Sequence, residues 1–329
     1  MNSDSTPVAP KQRGICDVLS LPSPGKVPFS VEFMPPRDEA AANRLHEMAI
    51  GMHDLGAAFV AVTYGAGGST QDLTMDAAVR MKDQPLTTLL HLTLVDHTVE
   101  ELQEALRNHA RRGLTNLLVL RGDPPGDPMG EWTTTPGGLT YASELIELIK
   151  SMPECQDFEV GIASFPEGHY RAADLEADTK WTLHKLRCGA EYSVTQMFFD
   201  VDHYLRLRDR LVAADAEQGA KPIIPGIMPI TSLRSVRRQM ELSGAELPKH
   251  LEKRLVSAAA GDEVANREAI REVGIEVSTE IVERLISEGV PDLHFMTMNH
   301  PRATQEVLHN VGMAPAWGGA GHDMVRGGF

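Results

Sequence analysis

Short runs of Val, Ile, Leu, Phe and Thr recur along the chain, and longer amphipathic stretches separate them. Eight such runs occur, at 29–34, 59–65, 87–94, 116–122, 159–165, 192–199, 223–230 and 293–298. They are nearly continuously apolar, as strands covered on both faces must be. The stretches between them carry helical periodicity. In 98–114, Thr98 is placed to cap and Glu101 to complete a capping box, with Val99, Leu102, Ala105 and Leu106 on one face. Gly113 stands where a left-handed cap ends such a helix. Helices are also predicted over 175–187, closing at Gly189, and over 232–243, closing at Gly244. A long helix is predicted over 264–288, and an additional one over 247–260 between the seventh and eighth strands.

Strands that alternate with helices pair in parallel through crossovers. An open doubly wound sheet satisfies this alternation. Eight repeats in 329 residues fit a closed barrel better. The expected fold is therefore α/β, a single-domain (β/α)8 TIM barrel over 27–317 with an extra helix before the last strand. Residues 1–26 are polar and proline-rich, and 318–329 are glycine-rich; flexible ends are expected there.

Composition narrows the function. The net charge is −15, which disfavours nucleic acid and anionic membrane as partners. The longest uncharged stretch, 55–71, is short and broken by glycine, so no membrane span is expected. The three cysteines, Cys16, Cys155 and Cys188, are far apart and suggest neither disulfides nor zinc; a cytoplasmic location fits. The histidines show no metal-ligand spacing, so no metal is expected. The glycines at 65–68 do not make a dinucleotide fingerprint, and no Walker or nucleophile-elbow motif occurs.

Barrel chemistry sits at the C-terminal ends of strands. Polar residues interrupt the apolar runs there: Glu32, then Thr63 and Tyr64, then His91, then Arg121-Gly122-Asp123, His169, Gln196 and Asn299. Each has a plainer role open to it. Asp123 can cap a turn, and His91 between two leucines can be a satisfied core histidine. Glu32 between Val31 and Phe33 is expected to be desolvated, which raises a carboxyl pKa and leaves a proton to donate. Gln196 in an apolar strand needs partners for its amide. The recurrence on seven strands points to a site.

Seven motifs follow in order: Ser30-Val-Glu32-Phe-Met-Pro-Pro-Arg37, Val62-Thr-Tyr-Gly-Ala66, His91-Leu-Thr93, Leu120-Arg-Gly-Asp123, Thr195-Gln196-Met-Phe-Phe-Asp200, Ile223-Ile-Pro-Gly-Ile-Met-Pro229 and His294-Phe-Met-Thr-Met-Asn299. Over about 27–317 they resemble the bacterial, FAD-dependent 5,10-methylenetetrahydrofolate reductases. The resemblance implies a barrel with FAD at its mouth. It implies reduction of methylenetetrahydrofolate to 5-methyltetrahydrofolate by NADH or NADPH, in one-carbon metabolism and methionine biosynthesis. It places Glu32 as general acid, Asp123 beside flavin and folate, Gln196 on folate or nicotinamide, and Thr63 on nicotinamide. Tyr64, Ala66, His91, Arg121, Gly122 and Asp123 match flavin contacts, as do Tyr141, Ala142, His169, Ala172, Asp178 and Lys185. Leu233 and Asn299 fall at substrate-contact positions, and a homo-oligomer is expected. The chain departs from the family at Leu233, where relatives carry an aromatic residue. Trp181 and His184 replace Asn and Arg in the segment for the FAD phosphates and adenosine. His300 replaces Arg, and Phe165 replaces Tyr. These departures keep open direct hydride transfer without flavin, or a non-catalytic flavin or folate binder. The retained Glu32 argues against a mere binder.

Overall fold

The computed structural model describes residues 11–21, 27–64, 68–84, 86–124 and 130–317, with the backbone alone for 68–72. Its strands are β1 (Phe29–Phe33), β2 (Val60–Val62), β3 (Thr88–Thr93), β4 (Asn116–Leu120), β5 (Glu159–Ser164), β6 (Tyr192–Thr195), β7 (Ile223–Ile224), β8 (Gly226–Ile227) and β9 (Leu293–Met296). All pair in parallel, in the order β7-β6-β5-β4-β3-β2-β1-β9-β8. β7 and β8 are two halves of the seventh expected strand. β7 pairs with β6 and β8 with β9, so the ring closes through Pro225 between them. Proline has no N–H to give a ladder, and the seam adapts around it. The Pro225 carbonyl accepts from His294 N–H at 3.1 Å, and Gly226 N–H donates to Thr195 Oγ1 at 2.9 Å. The barrel expected from the alternation is thus present, with one strand split.

The described helices are α1 (Ile15–Leu19), α2 (Glu39–Asp54), α3 (Gly68–Lys82), α4 (Val99–Arg112), α5 (Ala142–Ser151), α6 (Leu175–Arg187), α7 (Val201–Ala214), α8 (Leu233–Ser243), α9 (Lys249–Ala259), α10 (Arg267–Ser287) and α11 (Pro301–Asn310). The local signals held where they were strongest. Thr98 and Glu101 form the expected capping box on α4, and Gly113 takes φ 70°. α8 closes at Gly244 with φ 75°, and α9 is the additional helix before the last strand. No described helix is long and apolar enough to cross a membrane.

Alternation of side chains along each strand divides the core in two. Outward residues such as Val31, Phe33, Val60, Leu90, Val119 and Ile162 pack against the helices. Inward residues Phe59, Ala61, Leu89, Leu118, Tyr192, Val194 and Ile224 fill the barrel. Gly161 allows this filling, since a Cβ there would lie 2.3 Å from the Tyr192 ring.

The expectation of a loose arm over 1–26 is corrected for residues 11–21. Ile15 at the start of α1 is fully buried within the inner barrel cluster. Gln12 pairs its amide with Thr88 like a strand neighbour, donating to the carbonyl and accepting from the N–H, both at 2.8 Å. Asn116 donates to the Arg13 carbonyl at 2.9 Å, and Cys16 N–H donates to Glu159 Oε1 at 2.7 Å. Polar composition concealed one apolar anchor and backbone groups that the strands' first residues needed. Residues 1–10, 22–26 and 318–329 lie outside the described residues. Ile15→Ala is expected to cost about 2–5 kcal/mol, read as a lower denaturation midpoint in urea.

Candidate active site

The strand ends gather polar groups into two clusters. The first lies on β1, β3 and β9. Glu32 faces into the barrel near the end of β1, its side chain 14% exposed. His294 Nε2 lies 3.4 Å from Glu32 Oε2. His91 Nε2 lies 3.3 Å from the same oxygen, off the line a hydrogen bond needs. β2 separates β1 from β3, but it places Ala61 in register with Glu32, and a side chain that small leaves room for His91 to reach across. Burial pushes the Glu32 carboxyl up, and the two imidazoles together outweigh it, holding the acid below the ordinary carboxylate range. This corrects the expectation of a raised value: burial acts in the direction expected, but two histidines from other strands reverse the outcome. Among the described residues no three such groups are arranged to hold a metal ion.

β1 and β9 are also locked at the rim. Thr297 Oγ1 donates to the Glu32 carbonyl at 2.7 Å, and Met34 N–H donates to Asn299 Oδ1 at 2.8 Å. Asn299 adopts φ 61° to do so. Its amide therefore holds the loop after β1 at the mouth.

The second cluster lies across the ring, after β4 and β5 and on α6. Arg121 stacks over Trp132, 5.1 Å from the ring centre. Arg171 donates to the Gly130 carbonyl and to Tyr170 Oη at 2.9 Å. Lys185 is half-buried and donates to the Ala163 carbonyl at 2.8 Å; loss of solvent around its amine lowers its pKa to about 8, with Asp178 opposing. His169 lies in their field: burial, then Arg121, Lys185 and Arg171, lower it to about 4. Asp178 accepts from His169 N–H at 3.2 Å, while its other oxygen, Oδ2, has no partner. Within a chain of net charge −15, this wall of the mouth is locally cationic.

Asp123 is exposed beside this wall; burial of part of its surface raises its pKa, with Arg121 and Arg171 opposing. Gly122 takes φ 85° and a Cβ there would meet Val95 Cγ1 at 2.5 Å, so the turn that presents Asp123 favours glycine. Tyr141 and Trp181 are 52% and 56% exposed and stack on each other, rings 6.0 Å apart. An open cavity of about 410 Å³ adjoins them, lined by Asp174, Glu176, Ala177, Lys180, Trp181 and His184. Met34, Tyr170 and Met298, in strand-end loops, and Leu175, at the start of α6, are further exposed apolar residues. Exposed apolar groups gathered at one rim mark a ligand surface.

The remaining predicted positions separate into kinds. Gln196 sits just past β6, with Oε1 accepting from Met197 N–H at 2.9 Å. Thr63 and Tyr64 follow β2; Tyr64 Oη is 3.1 Å from His97 Nε2, and burial raises the phenol to about 12. Ala142 begins α5, and Ala172 N–H donates to the His169 carbonyl at 2.8 Å. Leu233 opens α8 but is 1% exposed within the outer core, so it offers no surface to a ligand. Ala66 lies outside the described residues. Ser30, Asp292, Arg171 and Trp132 carry no local sequence signal that marks them. Contacts between β1 and the β9 segment reveal Ser30 and Asp292, and contacts between loops reveal Arg171 and Trp132.

The family model for methylenetetrahydrofolate reductase matches residues 18–312. The chain is 32% identical over 293 residues to 5,10-methylenetetrahydrofolate reductase of Escherichia coli, covering 88% of this chain and 93% of that one. It is 35% identical over 290 residues to methylenetetrahydrofolate reductase 1 of Schizosaccharomyces pombe, again over 88% of this chain. It spans about half of that yeast protein's length, 46%. Among solved structures, a Clostridium thermocellum protein described as binding two copies of 5-methyl-5,6,7,8-tetrahydrofolic acid is similar in fold, with TM-score 0.54. That likeness covers 82% of this chain and 88% of the other at 15% identity. The family match across nearly the whole barrel, together with the bacterial relative aligned over almost its full length, shows that the chain belongs to the methylenetetrahydrofolate reductase family.

Proposed function

We propose that this protein reduces 5,10-methylenetetrahydrofolate to 5-methyltetrahydrofolate with NADH or NADPH as hydride donor and FAD as carrier. The observation that carries the reading is the division of the mouth. A carboxylate between two imidazoles stands on one side, and a cationic, aromatic wall stands on the other. The second wall fits FAD. Arg121, Arg171 and Lys185 supply positive charge for a diphosphate, the stacked Tyr141 and Trp181 offer flat apolar faces, and Asp178 Oδ2 awaits a donor. When bound, FAD would supply a two-electron carrier between nicotinamide and folate.

The chain's own residues do the rest. Opening the folate one-carbon bridge requires a proton on the departing nitrogen, and we assign its delivery to Glu32. The cation so formed is stabilised by a fixed negative charge, the role assigned to Asp123. Gln196 is neutral and both donates and accepts, so it can serve nicotinamide and folate in turn.

An anaerobic visible spectrum of FAD-loaded, desalted protein tests this. An oxidised-flavin band that is retained and bleaches with NADH supports the reading. Loss of the band on desalting turns the search to direct transfer from NADH to folate. Asp123→Asn is expected to raise the flavin reduction potential, because a nearby negative charge disfavours reduced flavin. A redox-dye titration checks it, and an unchanged potential removes Asp123 from the flavin.

A further inference from the structure

Glu32 does not stand at the end of its contacts. His294 Nδ1 lies 2.8 Å from Ser30 Oγ, and Ser30 Oγ lies 2.5 Å from Asp292 Oδ1. Ser30, Asp292 and His294 are each 0% exposed. β1 supplies Ser30 and Glu32, two residues apart on the inward face; β9 supplies His294, in register with Ser30. An unbroken file therefore runs from Asp292, just before β9, to Glu32 at the mouth. Its links are 2.5, 2.8 and 3.4 Å.

The hydrogens of this file can be arranged in two ways. Ser30 has one hydroxyl hydrogen, so donating it to Asp292 commits Ser30 to accept from His294 Nδ1–H. His294 Nε2 then accepts from a protonated Glu32. Reversed, Asp292 is the acid and donates to Ser30, Ser30 donates to His294 Nδ1, and His294 Nε2–H donates to a Glu32 carboxylate. Both arrangements hold the same number of protons.

Building on the proposed function, we propose that Asp292 stores the proton that Glu32 delivers to folate, and that Ser30 and His294 pass it between them. In the transfer the Asp292 O–H breaks as a Ser30 O–H forms. Ser30 releases its original hydrogen to His294 Nδ1, and His294 releases its Nε2 hydrogen to Glu32. Ser30 and His294 end with unchanged charge; Asp292 becomes a carboxylate and Glu32 an acid. After product leaves, water at the mouth reprotonates Glu32, and the file runs back.

The surroundings favour the resting arrangement with the proton on Asp292. Burial pushes the Asp292 carboxyl far up, the Ser30 hydrogen bond opposes it only in part, and Oδ2 has no partner. Glu32 faces His91 from β3 and His294 from β9, and these hold it ionised. The two carboxyls are thus biased in opposite directions, which is the pattern that separates a proton store from a proton donor.

Rapid-mixing kinetics of the folate half-reaction in mixtures of light and heavy water test the proposal, beside infrared spectra of the same proteins. The wild type is expected to show a bowed dependence of rate on deuterium fraction, because several hydrogens move together. Asp292→Asn and Ser30→Ala are expected to slow folate reduction at least tenfold and to make that dependence linear. Reduction of the flavin by NADH stays unchanged in both. The wild type is expected to show a protonated-carboxyl infrared band that Ser30→Ala shifts and Asp292→Asn abolishes. A linear wild-type dependence, a wild-type rate in Ser30→Ala, or absence of the band overturns the proposal. If the wild type reduces no folate, the proposed function fails, while the band still reports on Asp292. If Asp292→Asn does not fold, the Ser30→Ala rate and band shift decide.

Discussion

Glu32→Gln is expected to lower methylenetetrahydrofolate reduction by roughly 10²–10⁴-fold, the usual contribution of a positioned general acid. Reduction of bound flavin by NADH is expected to persist. Glutamine matches the size of Glu32 and still meets His294 Nε2, which lies 3.4 Å from the native oxygen. It carries no acidic proton, so the folate nitrogen stays unprotonated and the bridge stays closed. The nicotinamide step needs no such proton from the protein. The two half-reactions are followed separately in a stopped-flow spectrometer, first flavin bleaching by NADH and then its return with folate. Equal loss in both would make Glu32 a structural support, and full folate turnover would remove it from the chemistry.

Lys185→Met is expected to weaken FAD binding roughly ten- to a hundredfold, the cost of one hydrogen bond to a charged group. The same change is expected to leave the free protein at least as stable. These opposite effects have one cause. Lys185 is half-buried with its amine on the Ala163 carbonyl, and desolvation brings its pKa from 10.5 down to about 8. The fold therefore disfavours its charged form, and a ligand phosphate would restore that form. Between about pH 8 and 10.5 the unfolded chain keeps a proton that the folded chain has released. Lys185 therefore makes stability rise with pH across that window, and Lys185→Met removes this rise. In the same window FAD binding should take up a proton. Calorimetry at pH 9 in buffers of differing ionisation enthalpy measures the uptake, and fluorescence quenching measures the affinity. Unchanged affinity with no proton uptake would place Lys185 outside the cofactor site.

Particular residues show why some of this was legible in the chain. Thr98, Glu101 and Gly113 act within one helix, and α4 forms where they mark it. Strand positions followed from apolar runs because each strand is covered on both faces. Expectation and structure part where an outcome depends on a neighbour distant in sequence. Residues 11–21 look loose because their composition is polar, yet Gln12 meets Thr88 and Ile15 enters the barrel. The seventh strand reads as one run, but Pro225 cannot donate, and the strand divides its pairing between β6 and β9. Glu32 reads as a desolvated acid, which holds for its burial but omits His91 and His294.

The sequence by itself determined the alternation of strand and helix, the helix caps, and the order of polar residues along the strand ends. These rest on local periodicity and on hydrogen bonds spanning three or four residues. Only the tertiary structure decided that Glu32 shares its oxygen with two imidazoles, that Asp292 reaches it through Ser30 and His294, and that three cations converge around His169. Strand register and barrel closure set those contacts, and a carboxyl's charge is fixed by the groups they bring within a few ångströms.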